Sequence, residues 1–215
     1  MSDPPSLGKA LVASLRSDEA IAVASQMAEL AIDSQLTEGL LREVPVVGSV
    51  LAVARAGATV RDVLFVKKMF KFLSNFDGTS QPERDEMVRR LEGDSGYGRN
   101  VGEHLTYLLE KLDAHRKPAM VGRVFLSYMR GQIDVKTLNR LNTAIERIPF
   151  YEIDAVRRVY ENHQRDGRTD ERLETYQALE NAGLMNAQSA WDGLVYQPTD
   201  LCKSFVDLQL DKTGS

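Results

Sequence analysis

A chain of 215 residues with 43% hydrophobic and 27% charged residues holds enough apolar material for one large or two small packed domains, which excludes a disordered or fibrous protein. Its net charge of -4 and pI near 5.5 exclude a protein whose whole surface grips nucleic acid, because neutralising phosphates needs a lysine and arginine excess. A single cysteine, Cys202, precludes an intramolecular disulfide and suits a reducing compartment.

The first residues carry an acid and two prolines without the basic segment, apolar run and cleavage site of a secretory signal, so the expected location is cytoplasmic. Residues 1–17 read as a flexible leader. "SDEAIAVASQMAELAIDS" then starts with Ser17 and Asp18 as caps and predicts a helix to about Ser34. Further on, Pro45, Gly48 and Gly57 predict a helix from Pro45 to about Ala56, a bend, and a second helix from about Thr59 to Asn75. Asp77-Gly78 is a turn, and Ser80 with Glu83 makes a capping box that opens the next helix. "GDSGYGRN" is a loop, since it lacks the strand and the GK[ST] or GxGxxG pattern of a phosphate cradle.

Helical periodicity follows in Val101, Leu105, Leu108, Leu109 and Leu112, and again in Val121, Val124, Phe125, Tyr128 and Met129. Two more helices are expected over Asp134–Arg147 and Tyr151–His163, separated by Pro149. "HQRDGRTD" reads as a hinge, after which a helix ending near Gly183, two short strands around Asp192-Gly193 and a helix capped by Thr199 complete the order. The expected fold is therefore mainly α: a helical bundle over 18–163, including an apolar hairpin at 40–76, and a small C-terminal element over 164–215 with one short β-hairpin.

The stretch "VPVVGSVLAVARAGATVRDVLFVKKMFKFL" is the most apolar in the chain. Its longest uncharged run, Val44 to Ala54, is half of the ~20 residues a spanning helix needs. Extension brings in Arg55, Arg61 and Asp62, at about 2.5 to 3.5 kcal/mol each near a bilayer centre. On a helical wheel Lys67, Lys68 and Lys71 share a narrow arc, and Val63, Val66, Met69, Phe70, Phe72 and Leu73 cover the broad remainder. Six basic against two acidic residues between Leu40 and Phe76 make the segment +4 and leave -8 elsewhere. That pattern suits an anionic membrane surface, at the inner face, or an acidic protein partner, with Arg61, Phe65, Lys67, Lys68, Phe70 and Lys71 as the contact residues. The same pattern suits the central pair of a helical bundle, and a homo-oligomer is compatible with it.

No catalytic constellation is visible. His104, His115 and His163 lack ligand spacing, GxSxG is absent, and Cys202 has no histidine near it in sequence to act as its base. The expectation is a non-enzymatic protein with no cofactor and no metal.

Three resemblances add to this reading. Leu179, Gly183, Leu184, Tyr196 and Thr199 match the end of a winged-helix domain, with Cys202 where that pattern often has glycine. The helix before that wing carries Asp170, Glu171, Glu174 and Glu180 against Arg168 and Arg172, so direct nucleic-acid binding is not expected of it. The proline-valine-valine-glycine start, "RDVLFVKKMFKFL" and "GQIDVKTLNRLNTAIERI" resemble small bacterial helical proteins, some of them found near prophage or phage-defence loci. Residues 80–160 are similar to the all-helical tellurite-resistance B type domain. Together these imply an interaction protein using 40–76 at a membrane or partner surface in phage defence or stress. The alternatives are a soluble adaptor with that hairpin buried, and a winged-helix transcriptional regulator.

Overall fold

The computed structural model describes residues 6–29, 44–53, 59–97, 100–113, 116–166, 171–190 and 193–213. Its α-helices are α1 (Leu7–Arg16), α2 (Asp18–Glu29), α3 (Pro45–Val53), α4 (Val60–Leu73), α5 (Gln81–Glu92), α6 (Val101–Lys111), α7 (Lys117–Met129), α8 (Val135–Arg147), α9 (Ile153–Asp166), α10 (Leu173–Asn181) and α11 (Asp200–Asp207). The strands β1 (Met185–Ala190) and β2 (Gly193–Pro198) lie between α10 and α11 and pair antiparallel, from Met185 opposite Pro198 to Ala190 opposite Gly193. The fold is thus mainly α with one hairpin.

Local chemistry sets most of the boundaries. Thr59 and Asp62 close a capping box at α4, Ser80 and Glu83 close another at α5, and Asp134 and Thr199 cap α8 and α11 through their side chains. Gly78 adopts φ 72° in the turn before α5, a conformation in which a Cβ would be strained. Residues 30–34 of the helix expected to run to Ser34, Gly57 and Asp192 lie outside the described residues.

The expected leader over 1–17 is corrected: from Leu7 onward the chain is the helix α1. Ser6 caps it, accepting from the Lys9 N–H, and Gly8, Ala10, Leu11, Ser14 and Leu15 are buried. Ten residues make a marginal helix in isolation, so α1 depends on its packing. It crosses α6 backbone to backbone, where a Cβ on Gly102 would run into the Gly8 backbone and a Cβ on Gly8 would stand 2.6 Å from the Glu103 nitrogen. The Ser14 hydroxyl also accepts from the Val46 N–H at 3.0 Å, tying α1 to α3.

Helix α4 lies at the centre, against α2 and α7. Phe72 meets Phe76 and Phe125 edge to face at 5.4 and 5.9 Å, and Tyr97 continues the row to Phe125 at 6.4 Å. Gly122 of α7 permits the approach, since a Cβ there would stand 2.6 Å from the Phe72 carbonyl oxygen.

Two fully buried cations serve backbone carbonyls. Arg84 donates to the carbonyls of Leu15 and Thr79 and pairs with Asp18. Lys117 pairs with Asp113 at 2.6 Å and donates to the Glu146 carbonyl at 3.1 Å, joining the start of α7 to the end of α8.

The expected hinge at 163–170 needs revision too. Helix α9 continues through His163 to Asp166, while 167–170 lie outside the described residues. The C-terminal element is bolted to the bundle rather than set apart at residue 164. Arg157 of α9 grips the buried carboxylate of Asp211 through two hydrogen bonds of 2.6 and 2.8 Å, and Arg123 donates to the Leu208 carbonyl at 2.6 Å. Arg116 donates to the Asp211 carbonyl and pairs with Asp154 at 3.0 Å.

Candidate functional site

In the described parts of the hairpin singled out by its composition, most apolar side chains are interior, Val60 and Leu64 being exposed. Val46, Val47, Met69, Phe70, Phe72 and Leu73 are fully enclosed, and Val66 and Val50 are buried. Phe65 is partly buried against the same core. Placing Phe70 at a membrane or partner surface is therefore corrected: its ring is inside the monomer. The physical reason is that α4 has neighbours on more than one side, so its broad apolar arc meets α2, α3 and α7 instead of lipid. Among the described residues no helix is long and apolar enough to cross a membrane.

The basic residues of this segment divide into two groups. Arg61 forms an exposed ion pair with Glu110, and Lys68 Nζ donates to the Glu110 carbonyl at 3.0 Å. Both thereby hold the last turn of α6, where a cation complements the unpaired carbonyls and the helix dipole. Burial pulls the Lys68 pKa down, with Asp113 and Glu110 opposing it. Lys67 and Lys71 are half-buried, and neither side chain has an ion pair or hydrogen bond with a described residue. The lysine arc is thus partly a structural staple. At the head of α4, the Thr59 hydroxyl and then the Thr59 N–H hold the Asp62 carboxyl below its ordinary range.

The groups most able to do chemistry are placed for packing. Cys202 is fully buried, and burial pushes its thiol up to about 12, so it stays protonated at neutral pH. His104 is exposed beside the Tyr97 ring, centroids 5.6 Å apart, and His115 lies outside the described residues. Burial raises the Tyr97 phenol well above its usual range, a shift the Asn142 side chain opposes. In the glycine-containing loop the Asp94 carboxylate accepts from the Gly96 N–H at 2.8 Å, which closes a turn; Gly98 lies outside the described residues. Among the described residues no group of three or more histidine, cysteine, aspartate or glutamate side chains is placed to hold a metal ion.

The helix, hairpin, helix element matches its expected order. Leu179 and Leu184 are enclosed, Gly183 turns the chain at φ 76°, and Tyr176 stacks on Tyr196 at 5.0 Å. The Thr199 hydroxyl accepts from the Cys202 N–H and donates to the Gly183 carbonyl at 2.9 Å, fastening α11 to the end of α10. Exposed Glu174 and Glu180 keep α10 acidic, as the sequence reading has it.

Two surface features escaped that reading. The 3-10 turn Phe150–Glu152 presents Phe150 and Tyr151 at 60% and 70% exposure, their rings edge to face at 5.4 Å. It packs beside α10, whose first residue Leu173 is also exposed. Pro149 was the available signal: it forces a break, and the two aromatics that follow fall outside the inward period of α9. The second feature is the solvent face of α8, where Lys136, Asn139, Arg140, Thr143 and Arg147 are all exposed.

No family model matches the chain, and no curated protein or solved structure matches it either.

Proposed function

We propose that the protein is a non-enzymatic helical adaptor: the apolar hairpin serves as its internal scaffold, and the edge formed by Phe150, Tyr151 and Leu173 meets a protein partner. The carrying observation is the pair of adjacent, largely exposed aromatic rings braced against each other. Large apolar side chains held together at a surface are the usual anchors of protein interfaces, where aromatics supply most of the binding energy. The short turn that carries them is fixed between α8 and α9, so little ordering is left to be done on binding. The burial of Val46, Val50, Phe70 and Leu73 supports the adaptor over the membrane-surface reading, because the apolar face is already occupied.

The test is site-specific photo-cross-linking in the native host. A photoreactive phenylalanine at position 151 should yield a discrete protein adduct that the same group at exposed Arg89 does not. The adduct should disappear when Phe150→Ser is introduced. No adduct at 151, or the same products from both positions, removes the aromatic edge as the partner site.

A further inference from the structure

Beyond the adaptor reading, we infer that the exposed face of α8 is a binding surface for the phosphate backbone of double-stranded DNA. Lys136, Arg140, Thr143 and Arg147 recur at intervals of four, three and four residues, which aligns them along one side of the helix. They span roughly 16 Å at 1.5 Å per residue. Asn139 lies beside them. None of the three cations makes an ion pair or hydrogen bond with a described residue, and Lys136 only lends its field to Asp134 at the helix start. The single acid within α8, Glu146, falls beside Asn139 on the wheel, and its charge is met by Lys111 at 3.2 Å. The three cations of this face therefore have no ion-pair partner on their own element.

A cleft of about 320 Å³ runs along it, lined by Asn139, Arg140, Thr143 and Arg147 on the α8 side and by the α10–β1 turn on the other. Glu180 on that opposite wall accepts from the Ala187 N–H, and its charge repels a phosphate there, so the cations of α8 carry the attraction alone.

The chemistry of the face selects the occupant. Its cations call for an anion, and its solvent face carries no aliphatic or aromatic side chain, so it offers neither the wedge that enters a bilayer interface nor the anchor of a protein hot spot. Arginine and lysine interleaved with asparagine and threonine are the residue types that contact phosphates and base edges. The Thr143 hydroxyl already donates to the Asn139 carbonyl at 3.0 Å, which leaves Asn139 as the neutral donor of the stripe. A single exposed helix face of this length fits a major groove about 12 Å wide. The β-hairpin strands hold no lysine or arginine, so the wing is not the phosphate clamp here.

The test is fluorescence anisotropy with a labelled 20-base-pair duplex. With three phosphates neutralised, log K should fall with log salt at a slope near -2.7, or roughly 40-fold weaker binding between 50 and 200 mM salt. The triple variant Lys136→Gln, Arg140→Gln, Arg147→Gln should weaken binding at least tenfold and flatten that slope. Lys67→Gln, Lys71→Gln, Arg130→Gln, an equal change in net charge elsewhere, should leave binding within about threefold of wild type. The charge-preserving Arg140→Lys, Arg147→Lys should retain the slope, which separates loss of charge from loss of fold. Absence of duplex binding by wild type at 50 mM salt, equal loss in both triple variants, or equally tight binding to poly-glutamate or anionic vesicles would each overturn the inference.

Discussion

Replacing Gly102 with alanine tests the backbone crossing of α1 and α6 directly. The added Cβ would stand 2.0 Å from the Gly8 carbonyl oxygen, 2.5 Å from its carbon and 2.9 Å from its Cα, all backbone atoms that no rotamer change can move. An ordinary carbon to oxygen approach is about 3.4 Å, so the helices must part by roughly 1.4 Å at this point. A gap well under that already forfeits a quarter to a half of each dispersion contact it opens. The seats of Leu11 and Leu15, both fully enclosed, are the ones disturbed. Overpacking of this kind costs about 1–3 kcal/mol, and removing a glycine from a helix returns at most about 1 kcal/mol, less in a first turn. We expect a net loss of about 2 kcal/mol and a fall in Tm of roughly 4–8 °C. Gly48→Ala is the control: among the described residues nothing lies within 4 Å of its Cβ position inside α3, so it should stabilise by about 0.5–1 kcal/mol. Urea unfolding followed by circular dichroism, with an unchanged m-value, measures both. A Gly102→Ala protein as stable as wild type, or less affected than Gly48→Ala, would refute the crossing geometry.

Three other outcomes follow from the buried groups. Arg84→Met leaves the Leu15 and Thr79 carbonyls without their donor and should cost about 2–4 kcal/mol, whereas Asp18→Asn, at an exposed partner, should cost under about 1 kcal/mol; the reverse ranking in urea unfolding would contradict the carbonyl account. Cys202 should resist a disulfide reagent at pH 8 until the protein unfolds. Because its folded pKa is raised, its contribution to stability is complete below about 9 and is lost as pH climbs toward 12, at up to about 1.4 kcal/mol per pH unit, so Cys202→Ala should show a shallower alkaline decline than wild type. Finally, wild type and Lys67→Gln, Lys68→Gln, Lys71→Gln should both stay in the supernatant with anionic vesicles at low salt, since the apolar partners of those lysines are enclosed; a salt-sensitive wild-type pellet lost in the variant would restore the membrane reading.

Signals that act within a few residues were readable in the sequence. Thr59 and Ser80 start helices where their capping patterns say, and the inward positions of α6 to α9, such as Leu105, Phe125, Leu141 and Val156, are the buried ones. The hairpin and the Thr199 cap likewise follow from turn and cap chemistry. What was illegible depends on partners distant along the chain. Helix α1 carries Leu7, Leu11 and Leu15 at four-residue spacing, but behind two prolines and among small residues this stripe does not declare its seat until Gly102 is known to receive Gly8. The destination of Lys68 is a carbonyl 42 residues away, and periodicity contains no such information. The same wheel that showed a broad apolar arc on α4 could not say whether lipid, a partner or three neighbouring helices would cover it. The α8 face was read only for its inward leucines, because exposed polar positions draw notice only once their lack of partners is visible.

The docking of α1 on α6 also orders events in time. The Ser6 hydroxyl donates to Glu103 across 97 positions of sequence, and the glycine crossing lies beside that bond. During vectorial synthesis α1 is the first of these helices to leave the ribosome, and its seat follows nearly a hundred residues later, roughly 5–20 s at ordinary elongation speeds. For most of that interval α1 has only α2 and α3 within reach, Ser14 meeting Val46 32 residues on, and closing the longer loop places its docking on α6 late in folding.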